Sequence, residues 1–416
     1  MTRRAAAHDY SRPGTYHITL HVAEGMGSPL GTVVGDPRAA AGTPEAPRVD
    51  LSPIGQRVEH ELLTSLSARY PMVEVQDHIV MPDHLHALLV VKSVIISRNG
   101  KRLPLGQVIA GFKKGCNKRY WEMTGQGGGQ TAPNNAPGGL PAVAYKVPSD
   151  GTSGRLPLFA PGFCDVMPVD GDQLATQRAY IHDNPRSRLL RTLHRDKLMA
   201  QRGAITTALT VSALRGYLRR ECGPSQATPA ALAALEERLL TTAGASPLIL
   251  CDSYGDRALL QRRLLPVICH RRDKARLEEQ QARCLEEAAA GAVLVSPRIA
   301  KGEQRIVDET IARGFPVVLV ADNGFAERYH PSAERIDRCA DGRLLLVTPW
   351  RYRYRPKGEA ITVAECKTMN CIAQALCRQK DDWWKNAIPT APAALNTVPA
   401  GSPGGKPRQR KEPRTI

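Results

Sequence analysis

The feature that most constrains the fold is a pair of apolar segments separated by only a few residues. Val73 to Val80 and Leu85 to Val91 both have the length and composition of strands, and Met81-Pro82-Asp83 lies between them. So short a connection can join antiparallel strands, whereas parallel strands need a long crossover. The sequence therefore predicts a hairpin within an antiparallel sheet.

Helical patterns surround this hairpin. We expect helices from about Pro53 to Tyr70, from Leu105 to Trp121 and from about Asp172 to Asn184, where Pro185 stops the last one. A further strand, Thr15 to Val22, precedes them. Strands with helices between them predict an α+β sheet domain.

From about residue 245 the pattern changes to continuous apolar runs that alternate with helices. The runs are Pro247 to Cys251, Leu265 to Cys269, Ala292 to Val295, Pro316 to Val320 and Leu344 to Val347. Such runs predict strands buried on both faces, in a doubly wound parallel sheet of the α/β Rossmann-like class. The predicted organisation is a sheet domain over 1–200 with a Gly/Pro-rich insertion at about 124–157, a helical connector over 201–244, an α/β domain over 245–386 and a disordered basic tail over 387–416.

Charge and composition limit the kinds of partner and the cell compartment that we expect for the protein. The 416 residues carry a formal charge of +17, an excess that attracts nucleic acid or an acidic membrane surface. No run of eighteen apolar residues and no apolar signal core occur, which disfavours membrane spanning and secretion. The ten cysteines include no CxxC pair, so we expect reduced thiols in a cytoplasmic protein.

Two histidines at the start of the second strand of the hairpin are the first chemical signal. His84 and His86 are two residues apart, so on a strand they project from one face while Leu85 turns to the other. Two neutral imidazoles side by side form a partial metal site. Surface or core histidines are the alternative interpretation.

The second signal lies in the helix that precedes Pro185. Tyr180 and Asn184 are four residues apart and share a helix face, so the phenol and the amide can converge. The alternative is that Tyr180 packs and that Asn184-Pro185 only ends the helix.

Together the segments MPDHLH and YIHDNP, about ninety residues apart, resemble the REP-associated tyrosine transposases, a branch of the single-tyrosine HUH transposases. The resemblance covers roughly residues 10–191. Further matches are Tyr10 to Tyr16, Gly106 to Lys114 and Pro161 to Asp165. The resemblance implies a ferredoxin-like α+β HUH domain with an antiparallel sheet and helices on one face.

The resemblance also implies roles for individual residues. His84, His86 and Asn184 would bind Mg²⁺ or Mn²⁺, and Tyr180 would attack DNA to leave a 5′-phosphotyrosine and a free 3′-OH. The substrate would be single-stranded or hairpin DNA, and the protein would be a nucleoid-associated monomer or homodimer. Asp83 departs from the family, which usually has Asn there, and Phe163-Cys164 departs from an aromatic-polar pair that begins with Tyr.

Basic residues near both motifs are candidates for DNA binding. They are Lys113, Lys114, Lys118, Arg119, Arg186 and Arg188. Tyr120 lies among the first four, and we assign it to binding or packing. A solvated helix face is the alternative for each cation.

The C-terminal half carries two further candidates. Ser296, Arg298 and Lys301 lie where a strand runs into a helix, which suits either a phosphate or plain helix capping. Trp350 to Arg355 alternates aromatic and basic residues, which suits nucleic acid or a charged edge strand. This half looks like the Rossmann-type domain of DNA-processing proteins.

Three functions remain open at this point. The first is a metal-dependent transposase-like enzyme that cleaves and rejoins DNA. The second is a domesticated, non-catalytic protein that binds single-stranded DNA. The third is a nucleotide-processing enzyme that uses the C-terminal domain.

Overall fold

The computed structural model describes residues 9–97, 99–125, 155–167, 171–267, 269, 274–327, 329–356 and 359–377. Most of the predicted Gly/Pro-rich insertion and all of the predicted basic tail lie outside these residues. Among the described residues, no helix is both long and apolar enough to cross a bilayer.

The first half of the chain forms an antiparallel four-stranded sheet and a small hairpin. The strands are β1 (Gly14–His21), β2 (Gly31–Val34), β3 (Arg48–Leu51), β4 (Val73–Met81), β5 (His84–Val91) and β6 (Cys164–Val166). The sheet order is β4-β5-β1-β6, and β2 pairs with β3. The predicted hairpin is confirmed, because β4 and β5 pair antiparallel from Val73 opposite Val91 to Met81 opposite His84.

Helices connect these strands. They are α1 (Pro53–His60), a π-helical segment (Glu61–Leu66), α2 (Ser67–Arg69), α3 (Leu105–Met123) and α4 (Gly171–Leu193). The hydroxyl of Ser52 accepts a hydrogen bond from Gly55 N, which fixes the start of α1. The predicted helix over 53–70 is therefore one continuous helical segment whose middle turn is widened.

The two faces of the four-stranded sheet differ in composition. Ile18 and Leu20 of β1 point to the same face as Leu85 of β5, where they pack with Val108 and Phe112 of α3. The opposite face carries histidines and lies beneath α4. Helices therefore cover both faces, which corrects the expectation of helices on one face only.

Helix α4 does not end at Pro185, contrary to the sequence prediction. It continues through the proline to Leu193. Proline removes one backbone donor from a helix interior. The side-chain amide of Asn184 donates to the carbonyl oxygens of Tyr180 and Ile181 and so supplies a donor at this point.

The second half forms a mixed, mostly parallel six-stranded sheet. Its strands are β7 (Gln201–Thr210), β8 (Leu248–Gly255), β9 (Leu264–Pro266), β10 (Val293–Ser296), β11 (Val317–Val320) and β12 (Leu344–Thr348). The order is β7-β8-β12-β11-β10-β9; β9 to β12 are parallel, whereas β8 runs antiparallel to β12 and β7 antiparallel to β8. The expected all-parallel sheet thus has an antiparallel edge, and the expected helical connector contributes strand β7.

Helices cover both faces of this sheet as well. They are α5 (Val211–Glu221), α6 (Pro229–Glu237), α7 (Lys274–Ala289), α8 (Lys301–Ala312), α9 (Ala333–Ala340) and α10 (Val363–Leu376), together with a 3₁₀ turn (Arg257–Gln261). Alternate residues of the four parallel strands enter different cores: Val318 packs in the core with α5, α6 and α10, whereas Leu319 packs in the core with α7, α8 and α9. Burial on both faces explains why these strands are continuously apolar.

Helix α4 joins the two halves. Leu190, near its C-terminal end, packs in the same core as Ile336 of α9. One turn earlier, Arg186 forms ion pairs with Asp183 and with Asp337 of α9. The helix that carries Tyr180 is therefore held at its far end by the second half of the chain.

Candidate active site

A histidine-rich patch lies on the α4 side of the four-stranded sheet. His84 lies opposite His21 in the β1–β5 ladder, and Thr19 lies opposite His86. The rings of His84 and His86 are 4.8 Å apart between centroids, edge to face. His86 is only 4% exposed. The predicted convergence of the two motif histidines on one face is thus observed.

Asp83 orients the first motif histidine. Its carboxylate accepts a hydrogen bond from His84 Nδ1 at 2.7 Å and forms an ion pair with Arg188 at 3.2 Å. The hydrogen bond from His84 is the largest cause that lowers the pKa of Asp83 to about 2. The aspartate at this position therefore places an anion behind the imidazole.

The second motif histidine has different partners. His86 Nδ1 lies 3.1 Å from His17 Nε2 and 3.0 Å from Thr19 Oγ1. His17 Nδ1 is in turn hydrogen-bonded to Gln177 Oε1 on α4. Burial is the largest cause that lowers the pKa of His86 to about 2, and the neighbouring histidines add to it. His86 is therefore a neutral imidazole at ordinary pH.

Tyr180 lies over this patch. Its ring centroid is 5.3 Å from that of His86, edge to face, and 6.0 Å from that of His17. The side chain is 42% exposed, so the phenol can reach an incoming molecule. Burial of the remainder raises the pKa of Tyr180, and the charge of Arg191 offsets part of that rise.

Asn184 is buried one helical turn beyond Tyr180. Its amide nitrogen donates to Tyr180 O at 2.7 Å. The amide nitrogen is thus used by the helix around Pro185, and the amide oxygen is the atom that a cation would contact. Its role as a metal ligand stays a prediction.

The two motif histidines have the surroundings of metal ligands. Each uses Nδ1 in a hydrogen bond, to Asp83 or to His17 and Thr19, and within the described chain neither Nε2 atom has a hydrogen-bond partner. Hydrogen bonds at the second ring nitrogen are typical of metal-bound histidines. No three His, Cys, Asp or Glu side chains of the described residues meet in a metal cluster. Two imidazoles and an amide oxygen are donor types that a divalent cation accepts, and their joint ligation of one stays a prediction.

The basic residues of α3 lie away from this patch. Helix α3 packs on the apolar face of the sheet, opposite the histidines. Lys113 donates to Ala160 O at 2.5 Å and also to Gly162 O, and Arg119 forms ion pairs with Glu61 and Glu122. Lys118 lies 3.9 Å from Glu122, and Lys114 is exposed. The structure does not bring these four cations together with His84, His86 and Tyr180.

The basic residues of α4 are also engaged. Arg186 holds Asp183 and Asp337, and Arg188 holds Asp83 behind His84. Tyr120 is partly buried against the core of the first half. DNA binding by the six cations stays a prediction, and Arg186 and Arg188 have structural partners as well.

The first C-terminal candidate, the loop with Ser296, Arg298 and Lys301, has the contacts of a helix cap. In the β10–α8 loop, Glu303 accepts hydrogen bonds from Ile299 N and Ala300 N, and Arg298 forms two hydrogen bonds to Asp308. Two backbone donors just before α8 are therefore occupied by Glu303. This is the helix-capping alternative.

The aromatic-basic segment leaves only some of its side chains available. Arg353 and Arg355 pair with acidic residues, and Trp350 is buried beneath Arg238. The phenol rings of Tyr352 and Tyr354 remain exposed, the latter by 75%. Residues 351–356 form no strand. Contact with nucleic acid here stays a prediction, which would rest on the exposed side chains of Arg351, Tyr352 and Tyr354.

Sequence reasoning missed His17, Thr19 and Gln177. The segment His17-Ile18-Thr19-Leu20-His21 alternates polar and apolar residues, so its strand period could have predicted that His17, Thr19 and His21 face the motif histidines. Gln177 lies three residues before Tyr180, on the same helix face.

Comparison of the chain with protein-family models, curated proteins and solved structures found no match. What the protein does must therefore be inferred from the arrangement of its own residues. The residues that bear on it most directly are His84, His86 and Tyr180.

Proposed function

We propose that the protein is a single-tyrosine DNA strand-transfer enzyme of the HUH transposase type. It cleaves and rejoins single-stranded or hairpin DNA through a 5′-phosphotyrosine intermediate, with Mg²⁺ or Mn²⁺ held by His84, His86 and Asn184. The observation that carries the proposal is the partly exposed ring of Tyr180, 5.3 Å from the ring of a buried, neutral His86.

The topology of the first half supports this assignment. A helical segment connects β1 to β4 by way of the β2–β3 hairpin, β4 and β5 form a hairpin, and α3 connects β5 to β6. With the order β4-β5-β1-β6, this is the connectivity of a ferredoxin-like sheet. We infer that the second half is Rossmann-like and assists DNA binding.

The proposed reaction is a phosphoryl transfer. The phenol oxygen of Tyr180 attacks phosphorus, the bond from phosphorus to the 3′ oxygen breaks, and a proton is lost from the phenol and gained by the 3′ oxygen. Burial raises the pKa of Tyr180, so alignment to the phosphate must supply much of the activation. A bound divalent cation would offset the charge that develops on the non-bridging oxygens.

Neutral ligands suit this chemistry. His86 stays uncharged at ordinary pH, and Asn184 offers an amide oxygen, so the cation keeps most of its positive charge. Asp83 lies behind His84, and its hydrogen bond to Nδ1 makes the Nε2 lone pair of that imidazole a stronger ligand for a cation. The side chains around the proposed cation therefore have separate tasks of ligation and orientation.

One observation favours the non-catalytic alternative. The amide nitrogen of Asn184 is already used by α4, as expected of a residue kept to accommodate Pro185. A domesticated protein that binds single-stranded DNA would keep the fold and that contact without cleavage. The nucleotide-processing alternative has less support, because the β10–α8 loop has the contacts of helix capping, in which Glu303 accepts from Ile299 N and Ala300 N.

A cleavage assay separates these functions. Labelled hairpin DNA incubated with Mn²⁺ or Mg²⁺ should be cut, chelation should stop the cutting, and affinity for a blunt duplex of equal length should be lower at matched ionic strength. Binding without any cleavage would support the domesticated alternative. Cleavage that continues after chelation, or equal affinity for the duplex, would contradict the proposal.

A further inference from the structure

A chain of three side chains leads from α4 to the second motif histidine. Gln177 Oε1 contacts His17 Nδ1, and His17 Nε2 lies 3.1 Å from His86 Nδ1. Both histidines are buried, where a charged imidazole is costly. Each ring therefore carries a single proton, on one nitrogen or the other.

The amide oxygen at one end determines where those protons lie. An amide oxygen only accepts, so His17 Nδ1 must donate and carry the proton. His17 Nε2 is then bare and can only accept, so His86 Nδ1 must carry the proton of the next contact. That leaves Nε2 of His86 with a lone pair. Thr19 Oγ1, at 3.0 Å, can accept from the same Nδ1 hydrogen.

The reverse polarity has the opposite consequence. If a donor faced His17 Nδ1, the proton would move to His17 Nε2, and His86 Nδ1 would become the acceptor. His86 would then carry its proton on Nε2, where it blocks ligation of a cation. The residue at position 177 thus controls an atom two side chains away.

We propose that Gln177 and His17 are positioning residues that fix His86 in the tautomer whose Nε2 atom is free to bind a divalent cation. The part that concerns the cation rests on the proposed function, whereas the part that concerns the tautomer does not. The same contacts link α4 to β1, so the helix that carries Tyr180 also fixes the tautomer of His86 beneath it.

Nuclear magnetic resonance tests the tautomer directly. In the full-length, ¹⁵N-labelled protein without metal or DNA, long-range correlations from the ring protons distinguish protonated from bare nitrogens, and the signals lost in His86→Ala assign His86. We expect His86 to carry its proton on Nδ1 and to have a bare Nε2. A proton on Nε2 of His86 would overturn the proposal.

Substitutions at position 177 test the relay, by which we mean the chain of contacts from Gln177 through His17 to His86. Gln177→Met keeps the side-chain length but removes the acceptor, so His86 should become a mixture of tautomers. The Kd for Mn²⁺ should rise as the fraction of His86 with an unprotonated Nε2 falls, about twofold when the two tautomers are equally populated. Gln177→Glu presents only oxygen acceptors and should keep the wild-type tautomer. Thr19→Val removes the hydroxyl and should also keep it. Free Mn²⁺ is measured by electron paramagnetic resonance, and circular dichroism checks the fold.

The outcomes separate this proposal from the proposed function. An unchanged tautomer and Mn²⁺ affinity in Gln177→Met, or a switch to the Nε2 proton in Gln177→Glu or Thr19→Val, would overturn the relay. If the tautomers and Mn²⁺ affinities behave as expected but neither the wild type nor any variant cleaves DNA, the relay stands and the proposed function fails.

Discussion

The histidine patch beneath α4 and the loop between β10 and α8 differ in how the fold uses their hydrogen-bonding atoms. In the patch, His84 and His86 each use one ring nitrogen and keep the other without a hydrogen bond in the described chain. In the loop, Glu303 takes the backbone donors of Ile299 and Ala300. Both regions have residue types suited to a ligand, but the loop uses its acidic side chain and two backbone donors to cap α8, whereas the patch keeps one ring nitrogen of each motif histidine.

The cations of the first half show the same difference. Arg186 and Arg188 appear in the sequence as charges near a site, yet one holds Asp337 across to α9 and the other holds Asp83. A charged residue that already has a close partner gains less from a phosphate than a free one does. Lys114, which is exposed on α3, has no such contact among the described residues.

The largest effect is expected when either motif histidine is removed. His84→Ala or His86→Ala should abolish cleavage in Mg²⁺ or Mn²⁺ while DNA binding largely persists, because the proposed metal would act on the phosphate whereas other residues would hold the strand. Asn184→Ala should weaken the response to metal less completely. Gel assays of cleavage and of binding on the same samples check this. Cleavage that survives both histidine substitutions would remove the HUH assignment.

A smaller effect is expected at Asp83. Asp83→Ala removes the acceptor behind His84 and should weaken Mn²⁺ binding about 10- to 100-fold. Asp83→Asn is the matched control, since its amide oxygen can still accept from His84 Nδ1, and its loss should be smaller. Titration of both variants with Mn²⁺ measures the difference. Equal affinities for Mn²⁺ in wild type and Asp83→Ala would show that His84 needs no such support.

The smallest effects are expected in the β10–α8 loop. Glu303→Ala should lower the free energy of unfolding by about 1 kcal/mol, because it removes the acceptor for two backbone donors at the start of α8. Lys301→Ala is the control and should change that free energy by less than about 0.5 kcal/mol. Urea denaturation measures both. A specific loss of phosphate or nucleotide binding in Lys301→Ala would instead make this loop a ligand site.

Much of the fold could be predicted because local rules agree with the packing. The β4–β5 hairpin and the apolar strands β10 to β12 follow from residue pattern and connection length. The path of α4 could not be predicted in this way. Its continuation past Pro185 depends on the amide of Asn184, and on the contact of Leu190 with the second half of the chain.

The site was predictable in part for a similar reason. His84, His86 and Tyr180 lie in short segments whose spacing places them on a strand face and a helix face. Gln177 and His17 are 160 residues apart and meet only when α4 crosses β1. No local pattern reports such a contact, and the same holds for the pairing of Arg186 with Asp337.

The most direct test of the account concerns the phenol oxygen of Tyr180. Wild-type protein is incubated with labelled hairpin DNA and Mg²⁺, resolved by denaturing electrophoresis, and the modified peptide is mapped by mass spectrometry. We predict a covalent adduct on Tyr180 that vanishes, with cleavage, in Tyr180→Phe, which keeps the ring and should keep the fold and DNA affinity. Tyr120→Phe should retain both. An adduct on Tyr120, or cleavage by Tyr180→Phe at the wild-type level, would contradict the account.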